Sequence, residues 1–277
     1  MAMKMRLRLP CIRTLLAPQQ RRHNSAYNAR WLSDQKTRLG RLFFHGCTAA
    51  EVDEAGQILQ DMTREWRRYI AGAEGYLISA ERRGLYRLPV AWGDMRSESA
   101  DEADEGRVRH VCHVNNVTYN RWAESARINW AWNLAKHVDP ANNTRWSDLW
   151  TPRGLGLILR SINVDYKFPM EYPDKVTVYH KLGKIKDDSF GLDVIILSEK
   201  HQRVAARCLE DIVVYNYKPS DPTKKPGKAP IPGWMRDVFE ETMQQQKEAA
   251  KAATNEMRKI GKRIDSVESR VLVRKEM

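Results

Sequence analysis

A helix-period stripe followed at once by four strand-length runs constrains this chain more than any other feature. In the stretch HVNNVTYNRWAESARINWAW that begins at residue 113, and just beyond it, Tyr119, Trp122, Ala123, Ala126, Trp130 and Leu134 recur at three- and four-residue spacings. A helix with so wide an aromatic face has to be buried, and the curve of a sheet suits it. Next come 157–168, 175–185, 189–199 and 204–217, each rich in branched and aromatic residues, and the separators KDD and KHQR have hairpin length. Ahead of the helix, LYRLPVAWGDM (85–95) reads as extended, with Pro89 suited to a strand edge and Gly93-Asp94 to a turn. Strand, long helix, then four strands with mainly short connections predicts an α+β fold, an antiparallel sheet wrapped around one central helix. The same order excludes a doubly wound parallel sheet.

The 277 residues suffice for one core with helical extensions at both ends. Residues 34–84 form an N-terminal extension in which Val52, Ala55, Ile58, Leu59, Met62 and Trp66 follow helical spacing. The sheet-and-helix unit occupies 85–217. Residues 218–233, with five prolines, read as an extended linker, and 234–277 as a charged helix with Met, Val and Ile on one side, docked on the core or on a partner. No apolar run approaches the ~18 residues that a spanning helix needs.

Residues 1–33 carry seven Lys or Arg, and the first carboxylate is Asp34. A basic, acid-free leader with only short apolar pieces predicts a mitochondrial targeting segment and a matrix location; the alternative is a basic N-terminal arm. Seven of the net +12 charges lie there, so the remainder is nearer +5 (12 minus 7), which weakens a nucleic-acid argument from charge alone. Cys11, Cys47, Cys112 and Cys208 are widely spaced, and no disulfide framework is expected. His110 and His113 flank Cys112, but no second ligand pair stands at zinc-site spacing, and no metal is expected.

His113-Val-Asn115-Asn116 precedes the helix directly, and two readings are open. One asparagine can be the helix N-cap, its side-chain oxygen accepting a first-turn N–H. Alternatively the positive end of the helix can polarise a carbonyl and hold an oxyanion, with His113 and Asn115 orienting substrate or water.

HVNN followed by Tyr119, Trp122, Glu124 and Ala126-Arg127 resembles the hot-dog acyl-thioester hydrolases, both the 4-hydroxybenzoyl-CoA thioesterase-like group and the acyl-carrier-protein thioesterases. The resemblance covers about residues 85–217, and VAWGDM, WTPRG, VDYKFP and LSEKHQR resemble a fungal, mitochondrially addressed branch. It implies a hot-dog fold, an obligate homodimer with the thioester at its interface, and hydrolysis of an acyl-CoA or acyl-carrier-protein thioester without cofactor or metal. By residue, it implies roles for Asp94 as the first acid of the lead-in, His113 as the motif histidine, and Asn115 and Asn116 as the asparagine pair. Glu124 and Arg127 match helix positions that support structure more than chemistry.

The chain departs from the family at the acid. Arg109 and Arg96 stand where the two branches place their essential carboxylates, and the seventeen residues 96–112 replace a turn of about four. Three explanations stand: a loop whose Asp101, Asp104 or Glu105 substitutes, an insertion that ended catalysis, or untranslated gene sequence carried into the chain. A nucleophilic Cys112 is disfavoured, because the family works with Gly or Gln at that place. The tryptophans of WSDLWTPRG (146–154) suit core packing better than a pocket cover or nucleotide platform. Basic residues at 160, 167, 175, 181, 184 and 186 read either as solvated strand faces or as contacts for CoA phosphates or an acidic carrier. The rival to the enzyme is a non-catalytic hot-dog scaffold, for instance on a mitochondrial ribonucleoprotein through residues 251–277, which carry eight Lys or Arg against four acids.

Overall fold

A computed structural model describes residues 30–95, 113–221, 223 and 225–276. The central helix, α4 (Asn116–Asn133), continues into a π turn at Leu134–Val138. Strands β1 (Arg83–Pro89), β2 (Leu155–Tyr166), β3 (Lys175–Ile185), β4 (Ser189–Ser198) and β5 (Arg203–Asn216) form one antiparallel sheet in the order β1-β3-β4-β5-β2. This is the hot-dog arrangement, with the four later strands within two residues of the expected bounds.

All six stripe residues, five on α4 and Leu134 at the start of the π turn, are buried, and they face the alternating inward residues of the sheet, among them Val176, Val178, Val194, Ile196 and Cys208. Gly84 permits the close approach of β1 to α4: a Cβ there would stand 2.7 Å from both the Cβ and the carbonyl oxygen of Ala126.

The other face of the sheet is covered by the N-terminal extension. It comprises three helices, α1 (Trp31–Leu42), α2 (Ala49–Arg64) and α3 (Trp66–Ile70), not one continuous stretch. The break after α1 falls at Gly46, whose φ of 77° is accessible to glycine without strain, and α2 begins on a capping box in which Thr48 and Glu51 satisfy each other's backbone N–H. Leu39, Ile58, Met62 and Trp66 meet the outward residues Tyr179, Ile195 and Leu197.

The last helix, α6 (Gly233–Glu276), joins the two layers. Its start, with Met235 and Phe239, packs with α4 and with Trp146 of α5 (Asn143–Asp148), so this tryptophan is core; its far half, from Met257 to Val271, packs on α1 and α2. In between it seals the part of β3 that β1 is too short to pair. There Gln246 Nε2 donates to the Leu182 carbonyl at 3.0 Å, and Gln246 Oε1 accepts the Leu182 N–H at 2.7 Å. Helix α6 therefore docks on its own chain, and Arg263, Arg270 and Arg274 are committed to Asp61, Glu54 and Glu51.

The proline-rich stretch 218–233 differs from the expected free linker. Its Gly227–Lys228 pair forms a short strand β6 on Tyr215–Asn216, and Ile231 is buried with its N–H on the Asp187 carbonyl. Proline spacing leaves Gly227, Ala229 and Ile231 free to donate, so the segment is stitched to the sheet despite its composition. Among the described residues no helix is long and apolar enough to cross a membrane.

Candidate active site at the start of the central helix

The entry to α4 is held by a backbone clamp. Met95 bridges Val114, Val114 N–H donates to the Met170 carbonyl at 2.7 Å, and Asn115 N–H donates to the Asp94 carbonyl at 2.8 Å. Asp94 itself ends a 3-10 turn, Trp92–Asp94, whose N–H bonds return to Ala91 and Trp92. With Val114 buried between these strands, His113, Asn115 and Asn116 are placed at one end of the fold beside Asp94.

Asn115 is the N-cap. Its Oδ1 accepts the Val117 N–H at 3.0 Å and its carbonyl accepts the Thr118 N–H at 2.9 Å, so the capping reading holds for this residue. Asn116, the first residue of the helix, is exposed there. An eighteen-residue helix directs its partial positive charge toward this point, where a developing negative charge is favoured. His113 is half-buried, with Nδ1 3.2 Å from the Val114 carbonyl oxygen. The four expected residues therefore lie together at the start of α4, brought there by main-chain bonds.

The segment after β2 forms the floor of the site, a role that sequence patterning did not assign. Tyr119 Oη receives the Met170 N–H at 3.0 Å and lies 3.4 Å from the Phe168 carbonyl; Tyr166 Oη donates to the Asn116 carbonyl at 3.2 Å. The Tyr119 and Tyr166 rings meet edge to face at 5.2 Å, and burial raises the hydroxyl pKa of each, so both remain donors. The available signal was the aromatic run of VDYKFP next to a helix carrying Tyr119 in its first turn.

Two further expectations separate along α4. Glu124 is exposed, whereas Arg127 is buried and donates through Nη1 to Glu210 Oε1 on β5 at 2.6 Å. His180 on β3 lies 3.9 Å from the other Glu210 oxygen, and among the described residues neither its ring nitrogens nor that oxygen has a hydrogen-bond partner. Burial raises the Glu210 carboxyl to about 7 against the pull of Arg127, and burial followed by the Arg127 charge lowers His180 to about 3. This inward polar group belongs to the middle of the helix, not to its start. Arg160, Lys167 and Lys181 are paired with Asp211, Asp165 and Asp193. Asp101, Asp104, Glu105 and Cys112 lie outside the described residues, as does 1–29 of the targeting segment.

Several solved structures are similar to the chain. A thioesterase from Thermus thermophilus, complexed with coenzyme A and Zn, is 19% identical with a TM-score of 0.41, covering 62% of this chain and 98% of its own. A 1,4-dihydroxy-2-naphthoyl-CoA thioesterase from Synechocystis is 17% identical with a TM-score of 0.39, covering 56% and 93%. A probable thioesterase from Escherichia coli is 20% identical with a TM-score of 0.38, covering 58% and 96%. No similar sequence is found among curated proteins. The family profile described as the thioesterase-like superfamily matches residues 67–239, well over half of the chain and including the whole sheet, α4 and the clamp. The protein is therefore a member of the thioesterase-like superfamily.

Proposed function

We propose that the protein hydrolyses an acyl-CoA or acyl-carrier-protein thioester at the start of α4. The observation that carries this reading is the clamp through Val114 and Asn115, which fixes a helix N-terminus, with Asn116 exposed on it, next to Asp94. Family membership supports thioester hydrolysis in general. The substrate carbonyl oxygen lies against the Asn116 amide and the side-chain amides of the asparagine pair, which stabilise the oxyanion as it forms. Asp94 orients the attacking water, and His113 positions the substrate. Water oxygen bonds to the carbonyl carbon, the C–S bond breaks, and the water's proton ends on the departing thiolate, giving acid and thiol. No step calls for a cofactor or metal.

The reading includes a homodimer and a mitochondrial matrix location. Among the described residues, strand β2 ends the sheet with one edge unpaired, and Leu159 and Tyr166 on it, with Val117 and Trp132 on α4, are exposed apolar residues that a second copy would cover. The acid-free leader supports the location, and a reporter fused to residues 1–33 that stays outside mitochondria would remove it.

A second reading, the non-catalytic hot-dog scaffold, is favoured by one observation: Arg96 and Arg109 occupy the family's acid positions. Thiol release by the full-length chain, over acyl-CoAs from acetyl to palmitoyl and one acyl-carrier-protein thioester, separates the two. Turnover above background with any donor supports the hydrolase. No release from folded protein with every donor puts the scaffold first.

A further inference from the structure

A groove of about 530 Å³ lies where the helical extension meets the strand ends nearest the clamp. Arg64, Arg67, Arg87, Lys175 and Lys200 line it, against Asp174 and Glu199. The two acids are already engaged. Glu199, whose side chain is only 9% exposed, takes both arms of Arg67, one at 2.9 Å, together with the Thr177 hydroxyl; Asp174 accepts the backbone N–H groups of Lys175 and Lys200 and the Ser198 hydroxyl. The ammonium groups of Lys175 and Lys200 are left facing solvent, and Arg87 stands 4.0 Å from Glu199 with its side chain half exposed. A floor of paired charge under a rim of exposed cations suits a phosphate oxygen cluster.

The backbone at Arg87 is shaped for this groove. Its φ of 52° is uncommon for a residue with a side chain, it lies within the register shift between Leu85 and Leu88 of β1, and its N–H donates to Thr177 Oγ1 at 3.1 Å. Bulges of this kind re-aim a side chain, here a guanidinium on an edge strand.

The groove is also continuous with the clamp. Val90 N–H donates to the Asp174 carbonyl at 3.0 Å, and Tyr172, one residue before the groove-lining Pro173, meets Trp92 edge to face at 5.5 Å. Trp92 is exposed and stands two residues from Asp94. Thr63, Arg64 and Trp66 precede the segment that the family profile matches, so this wall of the groove belongs to the chain's own extension.

We propose that this groove binds the phosphate ester of the thioester's carrier, and that Trp92 and Tyr172 line the path from it to the start of α4. The proposal rests on the hydrolase reading and names the class of group that the carrier must bear. Two sources share that chemistry, the nucleotide phosphates of coenzyme A and the phosphopantetheine of an acyl-carrier protein.

The test is calorimetric titration of the full-length chain with coenzyme A, 3′-dephospho-coenzyme A and a holo acyl-carrier protein. The groove variants are Lys175→Glu/Lys200→Glu and Arg87→Gly, and the control is Lys136→Glu beyond the far end of α4. Glycine adopts the φ of residue 87 freely, so Arg87→Gly removes the charge without a folding penalty from the backbone. Coenzyme A affinity is expected to fall about tenfold or more in both groove variants and to hold in the control. If only the carrier protein binds, and the groove variants lose it, the same site is supported with phosphopantetheine as its ester. Weaker binding of the dephospho form assigns the 3′-phosphate to the groove. Affinity unchanged in the groove variants, equal loss in the control, or no binding of either carrier overturns the proposal. Thiol release from N-acetylcysteamine thioesters, which carry no phosphate, tests the hydrolase reading apart from the groove. Turnover there with groove variants that still bind coenzyme A fully overturns the groove alone; groove-dependent binding without turnover from any donor overturns the hydrolase alone.

Discussion

Asn115 and Asn116 divide the work that their shared motif suggests. Asn115 spends its backbone N–H on Asp94 and its Oδ1 on Val117, so Asn115→Ala is expected to cost about 1 kcal/mol in urea unfolding from the lost cap. That role was legible because a cap is a local bond between residues two apart. The inward ion pair was not, since Arg127 and Glu210 are far apart in sequence: the resemblance marked Arg127 as a structural position, but nothing local pointed to Glu210 as its partner. Removing Arg127 leaves Glu210 protonated in a dry interior without its charge-assisted hydrogen bond: Arg127→Met should cost about 2 kcal/mol or more, and Arg127→Met/Glu210→Met should recover most of it. Native Glu210 keeps its proton up to about pH 7, whereas the unfolded group loses it near 4.5. The native state thus binds more protons across that window, and this group's contribution to stability falls as pH rises through it. Urea midpoints should show that wild type loses stability relative to Glu210→Gln as pH rises from about 4.5 to 7; a constant difference would show that the buried carboxyl does not titrate there.

At the scale of elements, the stripe of α4 and the alternation of β2 to β5 were readable because periodicity records which face is buried. The path of α6 was not, since it depends on β1 stopping short of β3 and on one side chain filling the gap. Gln246 is an ordinary helix residue in sequence, yet it satisfies both backbone groups of Leu182 in the interior. Gln246→Leu keeps the volume and strands a buried donor and acceptor, so an unfolding free energy lower by about 2 kcal/mol or more is expected. If the variant unfolds with wild type, the α6 seam contributes nothing to holding the two layers together. The proline stretch misled for a related reason: composition marks where a chain resists regular structure, but not whether the residues between the prolines find partners on a neighbouring strand.

For the whole molecule, the helical layer of α1, α2, α3 and α6 occupies much of the outer sheet face, leaving the β2 edge and the open side of α4 as the surfaces on which a second copy would sit. Sedimentation equilibrium is expected to give a dimer, and Leu159→Glu, on the unpaired strand, to shift it toward monomer; a wild-type monomer would contradict the edge-pairing account. If the thioester reacts at the clamped start of α4, the most direct measurement is thiol release by Asn116→Asp beside wild type. A carboxylate at the first helical position suits the helix dipole, so folding is retained, but it sets a negative charge where the oxyanion must form. Turnover is expected to fall by about a hundredfold or more, with an unfolding midpoint no lower than wild type. Turnover equal to wild type from the folded variant would contradict it and place the chemistry elsewhere in the fold.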